Sequence, residues 1–406
     1  MNNECTAFKA WLKKKKVDFN FDITEIQGQG LGLGADGQIA VPYSLFLSSS
    51  NIKKWAKLNP ILSTYLELLE SAIVETERLV VMLFLVYCKT NDSEWDCYVN
   101  CLTKTPNAPM FWETDSDAYK GLFGTGLDEA CAQKHRTLTG EFSCLQSTAE
   151  SAKLFDYETY VWADYIFWSR CMSLQSAGHA GSDDLVIVPL VDFCNHSNEP
   201  NASWKLDDNG MVLSSNNASG QLLLSYGTKS NSELVFLHGF CIPNNLLESL
   251  SIPAPFWELM DGNIERIKVK SHLLKQRRLG MMVHINLPTK NLALENKSSN
   301  GILSEILSAE SLLIMLVSVL LEGEHDLQAI SELHKSEIYP ILLLRVATVL
   351  QQICEHHGGI LEEKCNVRVV QMLRDGLAQG LKHCQQLLQS FVDTQLQDPQ
   401  VLQYLA

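Results

Sequence analysis

The sequence predicts an α+β protein: a mostly-β N-terminal module that carries a helical insert, followed by an all-helical C-terminal domain. Three observations lead there. The first half alternates short apolar segments with turn residues, the rhythm of strands and tight connections. Within it, residues 50 to 180 hold longer stretches with helical spacing, interrupted by a loop region. Beyond residue 250 the texture changes to long runs of helical periodicity. The chain has 406 residues, 46% of them hydrophobic, which is enough for two domains with separate cores. The expected division is 1–250 and 251–406, with the insert at about 50–180.

Taken in order, VDFNFDITEI (17–26) reads as a strand, followed by the glycine-rich GQGLGLGADG (28–37) and a second strand-like segment, IAVPYSLFL (39–47). Residues 51–89 read as one or two helices with a break near Pro60, because proline lacks the N–H a helix interior needs. SEWDCYVNCLTKTPNAPMFW (93–112) reads as a loop region, and helices follow as far as Arg170. LVIVPLV (185–191), GMVLSSN (210–216) and QLLLSYG (221–227) look like short strands between turns. In the C-terminal part, ILSEILSAESLLIMLVSVLLEG (302–323), IYPILLLRVATVLQQICEHH (338–357) and VRVVQMLRDGLAQGLKHCQQLL (367–388) are helical, with Gly358 and Gly359 as punctuation. PTKNLALENKSSNG (288–301) is expected to be a mobile connection.

Composition excludes some classes. A formal net charge of −15 disfavours generic nucleic-acid binding and favours a basic protein partner. The local basic run KSHLLKQRR (270–278) reads as the solvated face of a helix. Twelve cysteines are scattered, and Cys97 and Cys101 have no matching second pair, so free thiols in a reducing compartment are expected rather than disulfides or a cysteine zinc site. The N-terminal stretch has no signal-peptide core. LVVMLFLVYC (79–88) and LLIMLVSVLL (312–321) are too short to span a bilayer. The expectation is a monomer in the cytoplasm, with the nucleus as a second compartment, and no membrane association.

The densest chemistry lies in DFCNHSNEPNASW (192–204), directly after an apolar segment. Asp192, Cys194 and His196 alternate and would share a face on a strand. As metal ligands they are mismatched, and no second ligand motif is visible, so no metal is assigned. A hydrolase is disfavoured because no G-x-S-x-G elbow is present. A ligand cradle and a plain capped loop remain open on these residues alone.

Thirty residues on, LLLSYGTKSNSELVFLHGF (222–240) changes the weighing. DFCNH followed by this segment resembles the SET-domain protein-lysine methyltransferases, specifically the subfamily typified by the Rubisco large-subunit methyltransferase. Further motifs fall in the same order: GQGLGL (28–33), SEWDCYVNCL (93–102), GLFGTGL (121–127), YVWADYIFWSR (160–170) and PNN (243–245). Together they cover most of residues 20 to 250; beyond 250 the likeness is one of helical texture. The resemblance implies a knotted, mostly-β SET domain with a helical insert and a helical substrate-binding domain. It implies S-adenosyl-L-methionine as cofactor and a protein substrate.

The resemblance also assigns roles. Gly28 and Gly30 would let backbone approach the cofactor, with Leu31 and Gly32 completing the contact. Asn195 and His196 match the family's pair that holds the adenine and nearby atoms, Asp192 supports their turn, and Cys194 is a buried filler. Arg170 matches an arginine near the cofactor's carboxylate, against the plainer reading of a helix-end salt bridge. Tyr226 matches the catalytic tyrosine, orienting the amine or favouring the sulfonium; with a reference pKa of about 10 it is no simple base. Phe236, His238 and Phe240 would line the lysine channel. His238 departs from the tyrosine common there, which opens two alternatives: a protein-histidine methyltransferase, or a non-catalytic interaction module with this fold. A ribosomal protein or translation factor is the favoured client.

Overall fold

The computed structural model describes residues 3–17, 21–35, 37–72, 76–146, 153–175, 178, 183–215, 220–245, 247–253, 264–276, 279, 282–288, 299–320 and 334–406. The expected mobile connection (its residues 289–298) and the last two residues of the basic run, Arg277 and Arg278, lie outside them.

Helix α1 (Asn3–Lys14) buries Phe8 and Leu12, four residues apart on one face. Strands β1 (Phe21–Ile26) and β2 (Gly30–Ala35) form an antiparallel hairpin running from Phe21↔Ala35 to Ile26↔Gly30. β3 (Gln38–Pro42) pairs elsewhere. The stretch read as one or two helices is three: α2 (Ser49–Ala56), α3 (Pro60–Ala72) and α4 (Glu77–Thr90). Ser48 and Thr76 cap α2 and α4 by accepting from the Asn51 and Leu79 N–H groups, and Pro60 opens α3 where its missing N–H costs nothing. Then come α5 (Asp96–Val99), α6 (Asp117–Lys120), α7 (Leu127–Leu145) and α8 (Tyr157–Arg170), the last capped by Asp156.

β4 (Met172–Ser173) pairs with β5 (Leu185–Val186). LVIVPLV is therefore strand only at its start: Ile187 bridges to Leu47, and a buried 3-10 turn, Val191–Phe193, comes next. β6 (Asn195–His196), β7 (Ala202–Leu206), β8 (Gly210–Ser215) and β9 (Leu223–Leu224) complete the strands of this region. A three-stranded sheet has the order β3-β8-β7, and β6 runs parallel to β9. Helix α9 (Asn231–His238) starts with a capping box between Ser230 and Glu233. β10 (Leu247–Pro253) and β11 (Met282–Pro288) pair antiparallel around α10 (Ile264–Gln276). The remaining helices are α11 (Ser299–Ile306), α12 (Ala309–Ser318), α13 (Tyr339–Leu361), α14 (Arg368–Gln395) and α15 (Pro399–Leu405). Among the described residues no helix is long and apolar enough to cross a membrane.

The chain divides into two compact units: residues 1–106 with 134–228, and residues 107–133 with 229–406. The first is built on α4, whose residues Leu79 to Cys88 are all buried. Beside it, rings of Phe8, Trp11, Trp55, Phe84, Trp95, Tyr98 and Phe193 form one aromatic cluster. The second unit has the expected helical character and also holds the β10–β11 pair, whose Leu250, Ile285 and Leu287 face its core. Its division from the first is discontinuous, unlike a single cut at 250, because Leu122, Leu127 and Val235 join that same core. Arg374, 3% exposed, fastens the 107–133 segment: Nη1 donates to the carbonyls of Gly121 (2.9 Å) and Phe123 (3.0 Å), and Nη2 to Ile360 (2.6 Å). This gives the GLFGTGL motif a structural role. Helix α13 continues through Gly358 and Gly359, so the pair read as punctuation lies inside a helix that ends at Leu361, itself buried in the core.

Candidate active site

The β1–β2 hairpin turns tightly enough for the Gln29 N–H to donate to the Ile26 carbonyl at 2.9 Å. Gly28 and Gly30 have φ of 76° and 77°, a region that a Cβ disfavours, which explains the glycine spacing. Gly32 is buried under another constraint: a Cβ there would collide with Oε1 of Gln221 and lie 2.7 Å from Cγ1 of Ile26. The segment before β9 closes along β2, with the Leu222 N–H donating to Leu33 O at 2.6 Å and Gly34 bridged to Gln221.

Parallel pairing of β6 with β9 sets Asn195 opposite Leu223 and His196 opposite Leu224. The Asn195 amide gives its protons to the Leu31 carbonyl (3.4 Å) and to Gln221 Oε1. Gln221 Nε2 in turn donates to Gln29 Oε1 at 3.1 Å. Asn201 clamps the strand, donating to Gln221 O (2.9 Å) and accepting from the Leu223 N–H (2.7 Å). Since both donors of Asn195 are used internally, its Oδ1 is what it offers a ligand.

His196 and Tyr226 are coupled. The Tyr226 N–H lies 3.0 Å from His196 Nδ1, and the same nitrogen lies 3.3 Å from the Leu224 carbonyl, so one ring atom ties the turn of Tyr226 to β9. Burial lowers the His196 pKa, opposed by its hydrogen bonds to Leu224 and Asn198. The two rings lie 5.0 Å apart, inclined by 30°. The Tyr226 hydroxyl donates to the Cys194 carbonyl at 2.8 Å, and burial raises its pKa well above the ordinary value despite the nearby Arg170 charge. Tyr226 is therefore a neutral phenol whose proton is committed, leaving oxygen lone pairs to face a reactant. This disposition matches acceptor work, not proton abstraction.

Arg170 ends α8. Its Nη1 donates to Asp192 O (3.0 Å) and Asp192 Oδ2 (2.9 Å), and the guanidinium lies 5.0 Å from the Phe193 ring centre. Tyr98 donates to the same Oδ2 at 2.8 Å. Burial works against the Arg170 charge, yet Asp192 and Tyr98 hold its pKa above the ordinary value; burial raises Asp192 against the pull of Arg170. The Asp192 side chain is 0% exposed. Asp192, expected to support the turn of Asn195 and His196 in the cofactor cradle, has its carboxylate enclosed, where it anchors Arg170 and Tyr98. Arg170 forms the helix-end pair that was its plainer reading, with Nη1 committed to Asp192. Leu190, which leads into this turn, is buried with φ of 82°, an uncommon conformation for a branched side chain and one that concentrates at functional sites.

Phe236, His238 and Phe240 belong to the second unit, on and just after α9. Phe236 packs against that unit's core, and the His238 and Phe240 rings are 5.8 Å apart. Asn231 ties the helix to the segment leading into β10: its Oδ1 accepts from the Ile242 N–H (2.7 Å), and its N–H and Nδ2 donate to Glu248 (3.0 and 2.7 Å). Burial pushes Glu248 up to about 7, opposed by those two donors. Sequence reasoning missed Gln221, Asn201 and Tyr98. Asn201 stood inside the polar stretch and Tyr98 inside SEWDCYVNCL, so both carried a signal; Gln221 is one glutamine ahead of an apolar strand and carried none.

No family model matches the chain. Its likeness to solved structures extends over nearly its whole length. It covers 98% of the chain and 92% of the structure of the SET domain of LSMT bound to lysine and AdoHcy, with a TM-score of 0.64 at 16% identity. For Rubisco LSMT bound to AdoMet the figures are 99%, 93%, 0.63 and 18%. The chain has the SET-domain fold, in the form seen in LSMT with its helical C-terminal region. Among curated proteins it is similar to the ribosomal lysine N-methyltransferase set10 of Schizosaccharomyces pombe, 28% identical over 181 residues, which are 43% of this chain and 33% of that protein. It is also similar to the actin-histidine N-methyltransferase of Xenopus tropicalis, 23% identical over 360 residues, 82% of this chain and 57% of that one. The chain thus spans between 33% and 57% of the length of these two relatives.

Proposed function

We propose that the chain is a protein methyltransferase that uses S-adenosyl-L-methionine and transfers the methyl group to a lysine side-chain amine. The observation that carries this is Tyr226: a half-buried neutral phenol, its proton held by the Cys194 carbonyl, joined through His196 to the strand that carries Asn195. The residues around it suit the cofactor. Gly28 and Gly30 have open space beside their backbone, and Asn195 Oδ1 offers an acceptor near Leu31. Arg170 keeps its charge through Asp192.

The cofactor supplies an electrophilic methyl group. The chain need not supply a nucleophile; it aligns donor and acceptor and excludes water. Tyr226 lone pairs accept from the amine N–H groups or from the polarised methyl, which favours the positively charged transition state. A basic, non-histone client is proposed, a ribosomal protein or translation factor, met in the cytoplasm by a monomeric enzyme. The charge of −15 supports a basic client. The set10 likeness supports a ribosomal one.

One observation favours a second reading. His238 stands where a tyrosine is common, and several matched relatives are actin-histidine N-methyltransferases, so the acceptor could be a histidine ring nitrogen. Two measurements test the proposal. Calorimetric titration with S-adenosylmethionine should show binding, weakened in Asn195→Ala because polar partners are left unpaired; no binding by the wild type would leave only an interaction module. Incubating extract from cells lacking the protein with purified protein and labelled cofactor should label a client. Fragmentation mass spectrometry then reads lysine or histidine at the modified position.

A further inference from the structure

We infer that Gln221 is a positioning residue of the cofactor cradle, fixing the glycine hairpin and the Asn195 amide in one arrangement. The inference rests on the cofactor reading above. Gln221 touches four parts of the site. Its backbone carbonyl is held by Asn201 at 2.9 Å. Its Oε1 accepts from Asn195 Nδ2, its Nε2 donates to Gln29 Oε1 at 3.1 Å, and its side chain fills the room that Gly32 leaves by lacking a Cβ.

A primary amide has one accepting and one donating end. Gln221 uses both, in opposite directions. The accepting end decides which way Asn195 faces: with Nδ2 donating to Gln221 and to Leu31, the Asn195 oxygen is the atom left for a ligand. Without Gln221, one reason for that orientation disappears, and the amide can present its NH2 instead. The donating end joins the turn residue Gln29, between Gly28 and Gly30, to the same strand. Gln221 therefore acts on the cradle through Asn195 and the hairpin and touches no reacting atom itself. Gly32 has its reason here, since any larger residue would push Gln221 off Asn195.

The test is a double-mutant cycle read by calorimetric titration with S-adenosylhomocysteine, on full-length protein shown folded by circular dichroism. Gln221→Ala and Gly32→Ala are each expected to raise Kd about tenfold, because both take away the partner that orients the Asn195 amide. Because both break the same contact, the double variant should fall well short of the multiplied loss. The residual Ile26 contact keeps Gly32→Ala from being fully silent in the Gln221→Ala background. Gln221→Met keeps the bulk without the amide and should bind as weakly as Gln221→Ala; it serves as the reporter if the alanine variant fails to fold. Wild-type affinity in Gln221→Met, or losses that simply multiply, would overturn the inference. Failure of the wild type to bind S-adenosylhomocysteine would instead remove the cofactor reading, a separate result.

Discussion

Replacing Asp192 by alanine isolates the anchor beneath the site. The carboxylate is fully enclosed and receives two charge-assisted bonds, from Tyr98 at 2.8 Å and Arg170 at 2.9 Å. Its removal leaves a guanidinium whose side chain is 17% exposed without its counter-charge, and strands the hydroxyl of a tyrosine that is itself 0% exposed. Removing one partner of a buried ion pair costs about 3–5 kcal/mol. Partial access of Arg170 to water argues for the lower end, about 3 kcal/mol. For m in urea of about 2–3 kcal/mol per molar, the midpoint should fall by about 1 M. Tryptophan fluorescence reports on the right region, because Trp11, Trp55 and Trp95 belong to the ring cluster that includes Tyr98. Asp192→Leu combined with Arg170→Met should recover part of the loss, since apolar replacement of a whole buried pair is often close to neutral. A midpoint shift below about 0.2 M for Asp192→Ala, the size expected of a surface substitution, would refute the anchoring role.

Further outcomes rest on the same geometry. Tyr226→Phe should slow methyl transfer while leaving S-adenosylmethionine affinity nearly unchanged, and should cost about 1 kcal/mol of stability because the Cys194 carbonyl loses its donor; an equal loss of cofactor binding would contradict the assigned role. His196 has a folded pKa below its unfolded one, so its contribution is complete above the unfolded value of about 6.5 and is lost as pH falls toward the folded pKa. The urea midpoint should therefore drop more between pH 7.5 and 5.5 in the wild type than in His196→Gln; parallel curves would contradict this. Gly239→Ala should destabilise by more than about 1 kcal/mol, because φ is 77° at the end of α9 and a Cβ would collide with the Asn107 carbonyl. A thermal midpoint equal to wild type would show that this helix end relaxes freely.

Elements whose logic is local were legible in the sequence. The glycine spacing of the β1–β2 turn reflects two positive φ values. The polar stretch and SYG carried the family resemblance because their motif order is a linear property. The hidden parts depend on distant partners. The anchoring role of Asp192 depends on Tyr98, 94 residues away, and on Arg170, which meet on one of its oxygens. Gly358 and Gly359 looked like a stop because intrinsic propensity disfavours them, but tertiary packing of α13 outweighs a cost of about 1 kcal/mol each. Gln221 gave no sign because nothing in the spacing of a single glutamine reveals that a glycine 189 positions earlier makes room for it.

The grip of Arg374 on Gly121 imposes an order on biosynthesis. The two residues are 253 positions apart. At about 5–20 residues per second, the segment containing Leu122 and Leu127 emerges roughly 10–50 s before the side chain that fastens it. For most of that interval α13 and α14 are not yet made, so the core that its apolar residues enter is incomplete. The nascent chain thus exposes a sticky internal stretch between two parts of its first unit, which makes it a natural customer for a holding chaperone. A ribosome that stops short of α14 would release a chain whose first unit has its residues but whose 107–133 segment has nowhere to dock.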